Sequence, residues 1–390
     1  MAAKGMRAAS CLLALALVAV PWSGRATTST PILLNRPLCG IATGPANAGD
    51  KAVLRVATFN VLHGLEETPA YPTHSTLDDR LELAAQAIAG DGIDLLGMQE
   101  VSKTAGAVGH QSGLVAERMA ARLAQITGVS WHWCWALSNP HFPVEPDLYV
   151  GGGGPISDVI ASMASDNYSS FKEGSAVLSR YPILRAEMRR LPLRFPAEYV
   201  ACPPVDVPVC NETAIFDHRI ALWARVATPH GPSDIIATHL AHHITPLSTV
   251  SKFEQAVALI ALSRQMDLRH GDPARHFITC DCNVTTEDLP PVVTLLNTAG
   301  WTDTYADRNP TSKCAPPVDT SACTSDQDIL AAVSTVIERI DYVFARPGSC
   351  VLDPVASKKF ADTPGSSPTH PHLWPSDHHG VWTDLNVAGC

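Results

Sequence analysis

The sequence predicts an α/β sandwich, packed sheets with few helices, rather than a doubly wound parallel sheet. Apolar runs of strand length recur from Lys51 almost to the C-terminal residue, while helical stripes are too few to supply a crossover for every strand. Several of those strands close on a polar residue, among them Asn60, Glu100, His239 and Asp281, as expected where strand ends from distant parts of a chain converge on a cleft. With 390 residues, 46% apolar and 17% charged, the chain can bury a large core, and one large domain is favoured over two.

In chain order, Lys4 and Arg7 precede an apolar run from Ala8 to Val20, and Gly24-Arg25-Ala26 follows as a small-residue cleavage region. This predicts an export signal over residues 1–26, with an apolar run too short to span a bilayer. A lead segment, 27–50, then enters a single domain over 51–390. Lys51 to Asn60 reads as a largely buried strand. Leu77 to Ala89 carries Leu77, Leu81, Ala84, Ala85 and Ile88 on one helical stripe, which Gly90 and Gly92 close. Ile93 to Glu100 is a second strand and Leu114 to Thr127 a second helix. In Trp131-His132-Trp133-Cys134-Trp135 the period of two sends three indoles to one face, as sheet core or as a substrate-facing platform.

Residues 139–172, rich in Pro, Gly and Ser, read as a long surface insertion. Further strands are expected at Gly174 to Ser179, Ile220 to Ala227, Asp234 to His239, His276 to Asp281, Arg339 to Phe344 and Gly380 to Leu385. Helices are expected from Val250 to Asp267 and near Leu289 to Ala299, and stapled loops over Arg190 to Asn211 and Asp307 to Ala332.

Of eleven cysteines, Cys11 would leave with the signal, so an even number remains. In an exported chain this argues for disulfides formed in an oxidising compartment, secreted or periplasmic. Cys202 with Cys210, and Cys314 with Cys323, are natural local partners. Cys39, Cys350 and Cys390 lie where longer staples would tie down the termini. The net charge of -10 argues against a broad basic surface for nucleic acid, though not against an enzyme that touches a few phosphates.

The polar strand ends carry the chemistry. Glu100 is placed to offer a carboxylate oxygen to a hard cation such as Mg²⁺, or is a solvated acid beyond a strand. Asp281 and Asn283, two apart, are expected on one face with Cys280 and Cys282 on the other, where they meet an anion together or form an Asx turn. His239 can donate to a phosphoryl oxygen or pass a proton; a metal cluster with His242 and His243 fits no familiar zinc spacing. Asp341 behind His378 makes that imidazole a general base for water.

Thr58-Phe59-Asn60, Gln99-Glu100-Val101, the run Ser175 to Ile183, Thr238-His239-Leu240, Asp281-Cys282-Asn283, Arg339 to Val343 and Ser376-Asp377-His378 occur in this order. The ordered set, spanning about Leu54 to Leu385, resembles the endonuclease/exonuclease/phosphatase superfamily. The resemblance implies a four-layered α/β sandwich of two packed mixed sheets flanked by helices, with the site at one edge. It implies Mg²⁺ or Mn²⁺ held by Glu100, with Asp377 in the metal shell, and phosphate held by Asn60, Asn283 and His239. By the same likeness, Asp341 orients His378, which activates water or binds a phosphoryl oxygen, and Asp281 positions the nucleophile or protonates the leaving oxygen. The family commonly shows Gly-Asp-Phe-Asn where this chain has Cys280-Asp281-Cys282-Asn283. The two cysteines join the disulfide set, rest as small buried thiols, or bring the site under redox control. Glu173 and Arg219 are further candidates beside the cleft.

The expected activity is metal-dependent hydrolysis of a phosphodiester, in a nucleic acid or a phospholipid head group, with no stable protein partner and no transmembrane anchor. A nuclease should carry Arg or Lys along the cleft. A sphingomyelinase-type enzyme should show an apolar protrusion beside the site, for which residues 149–160 are a thin candidate. A catalytically inactive binding protein, which would ordinarily have lost one of Glu100, Asp281, Asp341 or His378, and a phosphomonoesterase, which would want more basic residues, are the remaining readings.

Overall fold

The computed structural model describes residues 36–46, 49, 51–62, 77–104, 113–139, 172–192, 219–241, 246–271, 274–285, 292–325, 327–348, 352–368 and 370–386. The signal, the insertion at 140–171, the Cys202 and Cys210 segment, His242, His243, Cys350 and Cys390 lie outside them.

The strands are β1 (Leu38–Ala42), β2 (Val53–Asn60), β3 (Leu95–Thr104), β4 (Gly113–Leu114), β5 (Trp131–Asn139), β6 (Lys172–Ser179), β7 (Ile183–Arg190), β8 (Ile220–Thr228), β9 (Gly231–His239), β10 (Arg275–Asp281), β11 (Thr302–Asp303), β12 (Asp341–Arg346), β13 (Asp353–Phe360) and β14 (Gly380–Asn386). The helices are α1 (Leu77–Gly90), α2 (Val115–Thr127), α3 (Pro246–His270), α4 (Val292–Thr298) and the short α5 (Thr304–Arg308).

One sheet runs β1-β5-β6-β3-β2-β14-β13, with β4 beside β3, and the other β11-β12-β10-β9-β8-β7. Each is mixed. In the first, β2 and β3 are parallel and joined through α1; in the second, β9 and β10 are parallel and joined through α3; every other ladder is antiparallel. The chain thus holds two βαβ units, each framed by antiparallel neighbours.

Three apolar clusters account for four layers. Leu81, Ala85 and Ile88 of α1 and Met119 and Leu123 of α2 pack on Phe59, Met98 and Trp131 at the outer face of the first sheet. Between the sheets, Leu54, Val56, Leu95 and Val177 meet Leu222, Ile235, Phe277 and Val343. Leu259 and Met266 of α3 and Leu296 of α4 cover Trp223, Ile236, Ile278 and Phe344 on the outer face of the second. Burying such a side chain contributes about 1.5–3 kcal/mol. The sheets approach closely at Gly97, where an added Cβ would lie 1.9 Å from Thr279 Oγ1 and 3.2 Å from the Ala237 Cβ, so only glycine fits.

The three indoles of β5 are core, all under 9% exposed. Three expectations are corrected. Glu100 does not end its strand: β3 continues to Thr104 through a bulge between Met98 and Val101, where two residues oppose one of β6. The strand expected from Arg339 begins at Asp341, because the amides of Ile340 and Asp341 are taken by the Thr324 hydroxyl. Cys39 forms a longer staple, to Cys134, directly opposite it in the β1–β5 ladder. Asn283 is not extended, its φ being 49°. Cys314 is bonded to Cys323 as expected.

Candidate active site

The topology explains the constellation. Asn60, Glu100, His239 and Asp281 lie at or near the C-terminal ends of the four parallel strands β2, β3, β9 and β10, two from each sheet. Asp341 opens β12 directly opposite Asp281, and His378 stands two residues before β14, which pairs with β2. Six residues, from five strands and the loop that leads into β14, therefore meet at one edge of the sandwich.

Asn60, fully buried, links the sheets. Its Nδ2 donates to Glu100 Oε1 at 2.9 Å and to Asp281 Oδ2 at 3.0 Å, and its Oδ1 accepts from the Leu62 amide at 3.0 Å. Both amide hydrogens are thereby used on carboxylates from opposite sheets. The bulge in β3 aims Glu100 into this group at a cost: its φ is 58°, a left-handed conformation that disfavours a side chain by about 1–2 kcal/mol. Leu62 and Asn283 also have positive φ, at 54° and 49°, so three of the four such non-glycine residues among those described lie at or beside the site, Ala361 being the fourth.

Asp281 is the hub. Its Oδ1 accepts from the Asn283 amide at 3.0 Å, the expected Asx turn, while Oδ2 faces His239 Nε2 at 3.3 Å and His378 Nε2 at 3.8 Å. His239 Nδ1 is 4.0 Å from Glu100 Oε1. The Asn283 amide group donates to the Leu240 carbonyl at 3.1 Å and so braces the chain after His239. From α3, Lys252 Nζ donates to the Asn283 carbonyl at 2.7 Å, and Gln255 Oε1 accepts from the Ala241 amide at 2.9 Å. Sequence reasoning missed both braces. Their signal is a lysine and a glutamine on the stripe that also carries Ala256, Leu259 and Met266, all buried.

His378 Nδ1 lies 2.8 Å from Asp341 Oδ2, both side chains buried. Burial works against a charge on the imidazole, but Asp341, Asp377 and Asp281 outweigh it and raise its pKa well above the ordinary value. Burial likewise pushes the Asp341 carboxyl up, to about 6, against the pull of His378 and Thr324. The Ser376 hydroxyl accepts from the His378 amide at 3.3 Å, and the Asp377 carbonyl accepts from the Gln327 amide at 2.9 Å. The Asp377 side chain lies 3.9 Å from His378 Nε2 and is 35% exposed, on the rim rather than among the groups around Glu100.

Two sets of ligand atoms fall within 4.8 Å of one another: Glu100, His239 and Asp281, and Asp281, Asp341 and His378. The first combines two carboxylates with an imidazole. Carboxylates sharing one amide repel unless a proton or cation joins them, and oxygen donors suit Mg²⁺ or Mn²⁺, so these residues fit a divalent ion. Glu173, Arg219, Ser138 and Ser175 lie next to Glu100 and His239, with Glu173 and Arg219 both buried.

A carboxylate-backed imidazole beside groups that could hold a divalent ion, at the edge of a four-layered sandwich, is an arrangement suited to phosphoester hydrolysis. The model of the endonuclease/exonuclease/phosphatase family matches residues 57–378, and the chain belongs to that family. No curated protein matches the sequence. Similar solved structures include a family protein from Bacteroides thetaiotaomicron (16% identity, TM-score 0.54, covering 85% of this chain and 94% of that one). Another is from Beutenbergia cavernae (20% identity, TM-score 0.52, covering 86% and 71%), and a third is a mannosyl-6-phosphatase from Bacteroides thetaiotaomicron (15% identity, TM-score 0.52, covering 85% and 99%). At these identities the likeness is one of fold.

Proposed function

We propose that the chain is a secreted or periplasmic phosphodiesterase that depends on a divalent metal and hydrolyses its ester with water. The observation that carries this reading is the 2.8 Å Asp341–His378 contact with the free end of the imidazole turned toward Asp281. Asp341 holds Nδ1–H, which leaves Nε2 to take the proton of the attacking water. Asp281 positions that water or returns a proton to the leaving oxygen. Asn60, Asn283 and His239 are the phosphate-binding candidates; to donate to phosphoryl oxygens as their charge grows, Asn60 would turn from Glu100 and Asp281, and Asn283 from the Leu240 carbonyl. Glu100 and Asp281 would hold Mg²⁺ or Mn²⁺, with Asp377 at the rim; the bound ion supplies charge stabilisation to the phosphoryl group. Disulfides at Cys39–Cys134, Cys280–Cys282 and Cys314–Cys323 support the extracytoplasmic reading, and among the described residues no helix is long and apolar enough to cross a membrane.

Two substrate classes compete. Arg219, buried next to Glu100 and His239, is the guanidinium that a nuclease-like reading would bring to a phosphate. One observation favours a phospholipid head group instead: the loop over 329–337 stands beside the His378 loop, its Ile329 and Ala331 carbonyls held by Trp374, and exposes Val333 at 70% and Ile337 at 50%. Hydrolysis of plasmid DNA, RNA, sphingomyelin vesicles and bis-p-nitrophenyl phosphate with Mg²⁺ or EDTA, beside His378→Ala, tests the reading. Metal-dependent turnover lost in the variant supports it, and the substrate consumed identifies the branch. Equal turnover by the variant removes His378 from the mechanism.

A further inference from the structure

Cys280 and Cys282 flank Asp281 and are bonded to each other. Between planar trans peptides, the Cα–Cα distance across one residue is set by that residue's own φ and ψ. An extended strand places residues i and i+2 about 6.6 Å apart with their Cβ bonds nearly parallel. Disulfides need Cβ atoms about 3.5–4.5 Å apart, so this pair cannot be bonded while Asp281 is fully extended. The Cα atoms of Cys280 and Cys282 are 5.1 Å apart, which puts the whole contraction into the backbone of Asp281.

The surroundings agree with that bend. β10 ends at Asp281, the Cys282 amide donates to the Ile340 carbonyl at 2.8 Å, and Asn283 takes a φ of 49° with its amide returned to Asp281 Oδ1. Both sulfur-bearing side chains are fully buried on the α3 face, beside Leu240, Val284 and Tyr342, and the Asp281 carboxylate emerges on the opposite side among Asn60, His239 and His378. The bond closes a ring around the backbone of the residue that contacts Asn60, His239, His378 and Asn283.

We propose that the Cys280–Cys282 disulfide is a positioning device for Asp281: it fixes the bend that aims the carboxylate, in a chain where two cysteines stand in place of a glycine and a phenylalanine of the resembling pattern. The inference rests on Asp281 acting in the reaction. Without the bond, Asp281 can relax toward extended geometry and its carboxylate can leave Asn60 and His239; a displacement near 1 Å at a reacting group costs on the order of 100-fold in rate.

The test uses Cys280→Ala, Cys282→Ala and the double variant in the full mature chain, with Asp281→Ala as reference, assayed on bis-p-nitrophenyl phosphate with Mg²⁺ at 25 °C beside thermal melts. Expected is a fall in kcat of about 10- to 100-fold with KM changed less than about threefold. Both single variants and the double variant should lose the same amount, because each removes the same bond. Losses that add would assign the effect to side-chain packing and overturn the proposal, as would unchanged kcat in a variant that merely melts lower. Should a double variant fail to fold, the single variants carry the comparison. Full activity in Asp281→Ala would sink the reading of the site itself, a result distinct from an inactive Asp281→Ala beside fully active cysteine variants, which removes only the staple.

Discussion

Replacing Asp341 by Asn removes one charge from a fully buried pair and leaves its shape. The carboxylate now accepts the Nδ1 proton of His378 at 2.8 Å, which leaves Nε2 free to act as a base toward the side where Asp281 lies at 3.8 Å. An amide that presents its NH2 group to Nδ1 stabilises the other tautomer, with the proton on Nε2, and that form cannot accept one from water. General-base assistance is worth about 10²–10⁴-fold, so kcat is expected to fall by that factor, on the order of 3–5 kcal/mol in the barrier, with little change in KM. The pH profile gives a second readout. His378 must be neutral to act, and Asp341 is among the groups that raise its pKa well above the ordinary value, so kcat/KM of the parent falls as pH drops through that raised pKa. Without the carboxylate the inflection moves to lower pH. Stopped assays of bis-p-nitrophenyl phosphate hydrolysis from pH 5 to 10 measure both effects. Full kcat in the Asn variant, or an inflection that stays in place, would refute the orienting role.

Chelation by EDTA should abolish activity, Mg²⁺ or Mn²⁺ should restore it, and Glu100→Gln should raise the metal concentration for half-activation at least tenfold; an unchanged metal titration would remove Glu100 from the ion's shell. Gly97→Ala forces a methyl into Thr279 between the sheets and should cost about 1–3 kcal/mol in urea unfolding, whereas a neutral result would show that the sheets part easily there. His379 is 1% exposed and stacked on Trp374, and burial, helped by Lys359 and His378, lowers its pKa to about 3. Below pH 6.5 the unfolded chain takes up a proton that the folded chain refuses, so stability present above pH 6.5 is lost progressively down to about pH 3. That loss is on the order of 2–3 kcal/mol by pH 4.5. His379→Phe should keep the stack and flatten this part of the slope between pH 7.5 and 4.5, and an identical slope would place the proton elsewhere.

The interior of the fold was legible and its margins were not. Central strands such as β2, β9 and β10 are buried almost throughout, and short apolar stretches at their centres, such as Val56-Ala57, Ile235-Ile236-Ala237 and Phe277-Ile278, announce them. β1, β13, β7 and β11 went unread, and all four are sheet edges. An edge strand packs on one side and is shielded by charge: β13 reads Asp-Pro-Val-Ala-Ser-Lys-Lys-Phe with Lys358 exposed, and β7 carries Arg185, Arg189 and Arg190. Such segments look like loops. The polar strand ends were legible because a carboxylate or an imidazole stands out at the close of an apolar run. The braces behind them were fainter: Thr324, Lys252 and Gln255 act through hydrogen bonds to main-chain groups, and their one trace is a lysine and a glutamine on the apolar stripe of α3. The β3 bulge was hidden for a related reason, since Gln99 and Glu100 carry no glycine to advertise a positive φ.

β14 lies between β2 and β13, so a strand from the far end of the chain completes the sheet that the first βαβ unit begins. Arg55 meets both carboxylate oxygens of Asp384 across 329 residues of sequence, and the β14 segment brings His378 to within 3.5 Å of Asn60. Contacts of such separation form late, because the loop they close is costly until its interior is ordered. A refolding chain would therefore hold Glu100, His239 and Asp281 in register before it holds its base, and recovery of turnover would time the insertion of one strand.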